Sequence, residues 1–453
     1  MLRKFLRRVS LALLVLVPAL PAGPLQPVSA QERTPALAIN RSVGTGGTPV
    51  GFTGVGFTPG GRVTVLLTRG LGLIVAETTA NAFGGASGSF AMPANVPEVG
   101  TSGRVEVFAI DRATGRETLP AFFVLTTAPP LDFALPNGRF FTQTNGLPLG
   151  AGTAGFAVVN TTPFVVPVRF FDEFQRLGGV ALLGFPISQP FVLDGFVTQV
   201  FQKAVFQWRP ELNRVFFVNV FDVLHDRGFD PFLLAFRSTP FQLDPSFDAG
   251  KTVPQIINDR LALLNANPAI RATYFSVDDP LLRFGLPTSR VEDMGNHFVI
   301  RLQRAVLQQW KVAVPWAAPG MVTIANGGAI GVEVGLFPDF AVRPQPEPTF
   351  STRIVVYEPG KGERVRSGFL LRGDAQVFEA NVEFQLIGED GTILRQGNAT
   401  ATAAAPAFGR FSTNVTFSVA REQPAVLRVF ERSAADGSIV VATLVDIPLV
   451  LVP

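Results

Sequence analysis

The chain has 453 residues, 47 % apolar and 16 % charged, enough for roughly two to four domains with their own cores and too apolar to be disordered over most of its length. Its formal charge of +3 resides in residues 1–30, where Arg3, Lys4, Arg7 and Arg8 stand without an acid; the remainder counts 34 basic against 35 acidic side chains. That balance leaves few counterions to release from phosphates and excludes a nucleic-acid partner, and the absence of Cys excludes a disulfide framework and a thiol nucleophile.

From the amino terminus, a basic stretch, an apolar run over 11–20 and the small-residue end Val28-Ser29-Ala30 have the form of a secretory signal peptide, with cleavage expected after Ala30. The run is about half the ~20 residues that a membrane span needs, and Pro21 and Pro24 follow it. The mature protein is therefore expected outside the cytoplasmic membrane, associated with the cell envelope and without a transmembrane segment. With no disulfides, its domains must rest on buried apolar area, and 42 Phe against two Tyr and three Trp supply core volume with no polar atom to satisfy.

Proline-rich breaks at Ala128-Pro129-Pro130 and Pro344-Gln345-Pro346-Glu347-Pro348 divide the mature chain into three parts. In the first, 35–127, apolar and polar residues alternate around Val63-Thr64-Val65 and Val105-Glu106-Val107-Phe108 between frequent glycines, which predicts a small all-β sandwich. Pro59-Gly60 suits the central pair of a type II turn. The segment Gly54-Val55-Gly56-Phe57-Thr58-Pro59-Gly60, with Gly88-Ser89-Phe90 opening a later strand, resembles bacterial immunoglobulin-like modules. The acid that usually precedes the Gly-Ser-Phe is missing, so a calcium site at that turn would have no ligands.

The second part, 137–340, mixes helical and irregular patterns. Phe170, Phe174 and Leu177 share one helical face before Gly178-Gly179, predicting a helix over 166–177. Further helices are expected after Pro254 and around 218–227, the latter capped by Gly228. An internal repeat is more informative: Leu183-Gly184-Phe185-Pro186-Ile187-Ser188 recurs as Phe284-Gly285-Leu286-Pro287-Thr288-Ser289, and Gln202-Lys203-Ala204-Val205 as Gln303-Arg304-Ala305-Val306, both displaced by 101 residues. Two copies of one unit are expected, around 178–230 and 280–337. These segments resemble LGFP repeats of cell-wall-associated proteins, and related repeats of exported proteins of filamentous green bacteria, which implies attachment to cell-wall polysaccharide. Where the relatives carry an acid this chain has Gln202 and Gln303, so any chemical role of that acid is absent.

The third part, 349–453, alternates at Val382-Glu383-Phe384-Gln385-Leu386 and Leu427-Arg428-Val429, with Asp390-Gly391 and Asp436-Gly437 placed for two-residue hairpins. Ile354-Val355-Val356, the run from Gly373 to Val382, the run from Phe430 to Gly437 and the closing Ile447-Pro448 resemble the immunoglobulin-like domain of bacterial spore germination proteins. That resemblance implies an extracytoplasmic accessory module and no chemistry. The expected fold is thus mainly β and multidomain, with two immunoglobulin-like β-sandwiches flanking an α+β repeat domain.

Catalytic signatures are scarce. His225 and His297 are the only imidazoles and stand in unlike settings, expected at a surface or helix end; there is no His-Glu-x-x-His, no Gly-x-Ser-x-Gly and no phosphate-cradling glycine loop. No metal or cofactor is implied. Glu379 and Glu431 both follow Phe and invite a glycosidase reading, but small sandwiches offer no deep cleft, and backbone or Arg partners are the simpler expectation. Sugar recognition uses exposed aromatic faces bordered by amides and Arg, and Trp208, Trp310 and Trp316 follow the repeated Gln-basic-Ala-Val segments closely. These indoles, with Gln207, Arg209 and Gln308, are the candidate ligand-binding residues; Gln202, Gln303 and Arg304 are further rim candidates. Indoles are also highly buried on average, so the same three side chains could fill the core. On the platform reading Trp310→Ala would weaken glycan retention without altering unfolding. The expected partners are an envelope or extracellular glycan and, if the sandwiches join neighbours through strand edges, adjacent surface proteins.

Overall fold

The computed structural model describes residues 34–69, 72–96, 103–127, 131–149, 154–161 and 168–453. The expected leader and the Ala128-Pro129-Pro130 break lie outside these residues. Among the described residues no helix is long and apolar enough to cross a membrane.

The architecture is mainly β with several sheets. In the amino-terminal sandwich, Ala36–Ile39, Pro49–Val55 and Ala86–Ala91 form one sheet, and Val43–Gly44, Ala121–Leu125, Arg104–Asp111, Arg62–Leu67 and Leu73–Thr79 form the other in that order. The carboxy-terminal sandwich repeats this topology with one added edge strand: Thr349–Phe350, Ile354–Glu358, Phe369–Ala375 and Gly409–Val415 face Glu363–Val365, Val445–Leu451, Gln423–Phe430, Asn381–Ile387 and Ile393–Thr400. In each, a short strand pairs parallel with the last strand. The Pro59-Gly60 turn forms as expected, with Gly60 at φ +70° and the Gly61 N–H donating to the Thr58 carbonyl. Neither Asp-Gly is a two-residue hairpin: Ile387 pairs with Ile393 and Arg432 with Ile439, so each loop is longer, although Gly391 and Gly437 do take φ +84° and +70°.

The two sandwiches, distant in sequence, pack against each other. Leu37 and Ile39 point into the amino-terminal core, while Ala36 and Ala38 on the opposite face join Val55, Ile387 and Val426 in a separate apolar cluster. Small residues on that outer face let the second sheet approach closely. The Gly56 N–H donates to the Glu389 carbonyl at 2.9 Å, and a Cβ on Gly56 would stand 2.9 Å from the Gly391 Cα. The buried Glu389 carboxylate accepts from Asn81 and pairs with Arg421, fastening the contact.

The strands Asp132–Leu135, Gly138–Phe141 and Phe156–Val159 form a sheet at the junction of all three parts. Phe133, Leu135, Phe140 and Val159 pack with Val43 of the first sandwich and Val355 of the second. Beside them the fully buried Asp374 accepts from Asn137 at 2.6 Å and Tyr357 at 2.8 Å, also from Thr161, and pairs with Arg410. The sequence-based boundary at 137 falls between two strands of this sheet. A fragment cut there would lose Asp132–Leu135 and uncover Phe140.

In the middle region the two repeats take one conformation. The first comprises helix Gly179–Leu183, strands Phe191–Leu193, Phe196–Val200, Val205–Arg209 and Arg214–Phe217, and helix Val220–Asp226. The second comprises Pro280–Phe284, Glu292–Asp293, His297–Arg301, Val306–Trp310, Val322–Ile324 and Gly327–Glu333. Gly184 and Gly285 both take positive φ, and a Cβ on either would stand only 2.6 or 2.7 Å from the Cβ of Gln202 or Gln303. Gln202 Oε1 accepts from the Phe185 N–H at 2.9 Å and Gln303 Oε1 from Leu286 at 3.0 Å. These glutamines close the Gly-Pro turn, a task needing only an acceptor oxygen that a glutamate would also supply.

The equivalence continues beyond the 101-residue offset. Phe206 pairs with Phe217 and Leu307 with Ile324, so the offset is 101 on one strand (206 to 307) and 107 on the next (217 to 324). Six residues are inserted in the second copy's hairpin, and they carry Trp316. After it Asn219, Gly228 and Pro231 recur as Asn326, Gly335 and Pro338. The copies dock reciprocally: the Ala329 N–H donates to the Gln202 carbonyl, and the Phe221 N–H to the Gln303 carbonyl. Val200, Val205, Phe221, Val299, Val306 and Ile330 meet in a shared core.

Helices expected after Pro254 and around 218–227 are Val253–Ala262, capped by Thr252 and Gln255, and Val220–Asp226 before Gly228 at φ +78°. The helix predicted over 166–177 is described as Phe170–Arg176. Gly178 stops it as expected, turning left-handed at φ +88°, and a separate short helix, Gly179–Leu183, begins at once.

Candidate functional site

Reciprocal docking builds two equivalent clefts, each composed of one copy's strands and the other copy's Gln-basic turn. The first, about 730 Å³, has His297, Gln308, Trp310 and Asn326 from the second copy and Gln202 and Lys203 from the first. The second, about 350 Å³, has Phe196, Gln207, Arg209 and Asn219 from the first copy and Arg304 from the second. Neither copy alone makes a cleft.

The side chains sort as follows. Trp310 is 6 % exposed and forms the floor of the larger cleft. Its indole packs on His297 with ring centroids 4.8 Å apart, and its Nε1–H donates to Thr323 Oγ1 at 2.9 Å. Trp316, carried on the inserted residues, is 65 % exposed and stands edge-on to Trp310 at 5.5 Å. Gln308 lies 3.3 Å from His297 Nε2. Gln308, Trp310 and Trp316 therefore meet in one place.

Trp208 corrects the sequence reading. It is 3 % exposed in the core with Phe206, Phe217 and Val215, so it offers no face to a ligand. On a strand successive side chains alternate faces, and Gln207 and Arg209 fall opposite to it, lining the second cleft. Arg209 lies 3.6 Å over the Phe196 ring. The stacked pair Phe196–Arg209 is thus the counterpart of His297–Trp310. Trp310 does line the larger cleft, but its burial corrects the expectation that removing it would leave unfolding unaltered.

His297 was expected at a surface and is buried instead. Burial, reinforced by the Lys311 ammonium and opposed by Asp293, holds its imidazole below the ordinary value of 6.5. The unfolded chain then takes up a proton that the folded state resists, so stability falls as pH drops below about 6.5. Urea melts at about pH 7 and pH 5.5 should show this loss, and His297→Gln should flatten it; an unchanged pH slope in that variant would place the proton elsewhere. His225 sits at a helix end and bonds Asp230 through Nδ1 at 2.7 Å.

The carboxylates singled out for glycosidase chemistry are apart in role. Buried Glu431 accepts from the Phe378 N–H at 2.9 Å and faces Arg353 at 3.3 Å, whereas Glu379 is exposed in a left-handed turn at φ +50°. Among the described residues no group of three or more His, Asp or Glu side chains is placed to hold a metal ion. Asn326, Thr323 and Asn296, which border the larger cleft, were missed from sequence. The recurrence of Asn219 as Asn326 was the available signal, hidden because the insertion breaks the fixed offset.

Comparison with known proteins gives one firm placement. A search of curated proteins returns no significant match. Among solved structures the chain is similar to an engineered protein at 13 % identity, over 23 % of this chain and 20 % of that one, with a TM-score of 0.15. It is similar to dimeric latent PorU from Porphyromonas gingivalis at 11 % identity, over 93 % of this chain and 34 % of that one, with a TM-score of 0.19. It is also similar to a tetra-tandem repeat in the extending region of a large adhesion protein at 11 % identity, over 92 % of this chain and 74 % of that one, with a TM-score of 0.15. The chain spans a fifth and a third of the first two. Residues 353–438 match the family model described as the immunoglobulin-like domain of bacterial spore germination, and the carboxy-terminal sandwich is a domain of that kind.

Proposed function

We propose that this is an exported, non-catalytic envelope protein whose repeat domain binds cell-wall or extracellular polysaccharide. The observation that carries this reading is Trp316, an indole 65 % exposed above a cleft of about 730 Å³ whose rim is set with the amides of Asn145, Asn296, Gln308 and Asn326. An exposed aromatic face with amides around it matches the alternating apolar faces and hydroxyls of a sugar ring. The reciprocal docking of the repeats supports it, because it pre-forms the cleft without a moving part and lowers the ordering cost of binding.

The test is retention of the mature protein on purified cell wall and on soluble glycans. Retention should saturate and be competed by free glycan. Trp316→Ala should reduce affinity about tenfold or more, the loss of one good stacking contact, and leave the urea midpoint unchanged because the ring is exposed. Glycan-independent retention, or an unaffected Trp316→Ala, overturns the reading. So does turnover of a glycan by the purified protein that is lost on changing one carboxylate.

A second reading is favoured by the strand Leu73–Thr79, which forms an edge of its sheet and exposes Leu73 and Ile74. Such an edge can pair with a neighbouring molecule, making the protein a structural or adhesive surface subunit. Mass growth in light scattering without glycan distinguishes it.

A further inference from the structure

The two clefts share a scaffold and differ in charge. His297, Trp310 and Lys203 of the larger cleft correspond to Phe196, Arg209 and Arg304 of the smaller, and Arg227 has as its counterpart Val334, which packs on the shared core. The smaller cleft is thus lined by three guanidinium groups, Arg209, Arg227 and Arg304, against one carboxylate, Asp194. Arg304 is the wall of this cluster, fixed by Asn219 Oδ1 at 2.6 Å and the Leu281 carbonyl at 2.7 Å. Arg209 and Arg227 make no ion pair among the described residues.

An independent feature lies on the strands themselves. Arg209 stands directly opposite Arg214 across the antiparallel pair Val205–Arg209 and Arg214–Phe217. Like charges in that relation repel, and Arg214 turns to a neighbouring cleft that also holds Glu173, Asp278 and Asp279, which leaves Arg209 as the member of the pair lining this one. The equivalent pair in the second copy, Trp310 and Met321, carries no charge. The planar, forked guanidinium of Arg209 matches a carboxylate or an ester oxyanion through paired hydrogen bonds.

We propose that the cleft at Phe196, Arg209 and Arg227 is a second glycan subsite that selects an anionic sugar, whose acidic group is met by the Arg209 guanidinium stacked on Phe196 and by Arg227. This rests on the reading of the repeat domain as a glycan binder. The domain would then take a heteropolysaccharide, or two strands, with a neutral unit at Trp316 and an acidic unit at Arg209. Two unlike subsites on one rigid domain raise avidity and select for chains that carry both units.

The experiment uses the whole mature protein in affinity electrophoresis against polygalacturonate, its methyl ester, dextran sulfate and a neutral glycan retained by the wild type. Polygalacturonate should bind at least about tenfold more tightly than its uncharged ester, and more weakly as salt is raised. Arg209→Gln and Arg227→Gln should each weaken polygalacturonate about tenfold and leave the neutral glycan unaffected, while Trp316→Ala does the reverse. Dextran sulfate binding as tightly as polygalacturonate, with the same sensitivity to both arginine variants, supports the subsite and extends it from carboxylates to ester oxyanions. If the ester binds as well as the acid, or both arginine variants behave as wild type while Trp316-dependent binding persists, the anionic subsite is wrong and the proposed function stands. If no glycan is retained at all, both fall.

Discussion

Asp230→Ala should destabilise the repeat domain by about 3–5 kcal/mol, because it strands a charge inside the protein. Arg301 is fully buried; its Nη1 donates to Asp230 Oδ1 at 2.7 Å and its Nη2 to the Phe221 carbonyl at 2.6 Å. Burial pushes the Asp230 carboxyl up, but the hydrogen bonds and charges of Arg301 and His225 outweigh it and hold the group below the usual carboxylate range. Removing the acid leaves a guanidinium that water cannot reach. The pseudo-symmetric counterpart provides the control. Arg301 corresponds to Val200 and Asp230 to Phe337, and those two residues belong to one apolar cluster. The same geometry is thus filled once by an ion pair and once by hydrocarbon. Combining Arg301→Val with Asp230→Phe should recover most of the loss, since apolar replacement of a whole buried pair is often neutral or better. Tryptophan fluorescence is a clean probe here, because Trp208, Trp310 and Trp316 all lie in the repeats and report that region alone. A urea midpoint for Asp230→Ala close to wild type, or a double variant no better than the single one, would overturn the account.

Trp310→Ala should cost about 3–5 kcal/mol, in contrast to Trp316→Ala, which should cost almost nothing. The buried indole packs on His297, holds Thr323 through its Nε1–H and supports the edge of Trp316. Its removal leaves a void under the larger cleft and an unpaired threonine hydroxyl, and the void is the larger cost. Glycan affinity should fall too, as a consequence of losing the floor under Trp316. The pair of variants therefore separates stability from recognition: one loses both and the other only affinity. Equal unfolding midpoints for Trp310→Ala and wild type would sink this assignment.

Much of the fold was legible in the chain. Alternation at Val63-Thr64-Val65 and Val382-Glu383-Phe384 marked strands Arg62–Leu67 and Asn381–Ile387, because Val63, Val65 and Leu67, like Val382, Phe384 and Leu386, enter the sandwich cores while polar Thr64 and Glu383 fall on the other face. The strand Ala36–Ile39 shows the limit of that signal, since it is buried on both faces and its outer alanines look like any small residue. Asp390-Gly391 correctly marked a left-handed glycine but not the loop length, which the strand register decides. The repeat at one offset exposed the Gly-Pro turn and the Gln-basic segment. Its second half was hidden by six inserted residues, which bring in Trp316.

Composition and pattern by themselves determined the class of the protein: mainly β, no disulfides, near-neutral beyond residue 30, and a duplicated unit in the middle. These follow from local preferences and from the period of apolar burial, which neighbouring residues in the chain are enough to define. Only the tertiary structure decided the fates of the three indoles, one core, one floor and one exposed, because burial depends on what the other copy and the inserted hairpin place over each ring. The clefts are likewise invisible in either repeat alone, since each is closed by the turn of its partner a hundred residues away, and contact at that separation is a property of packing.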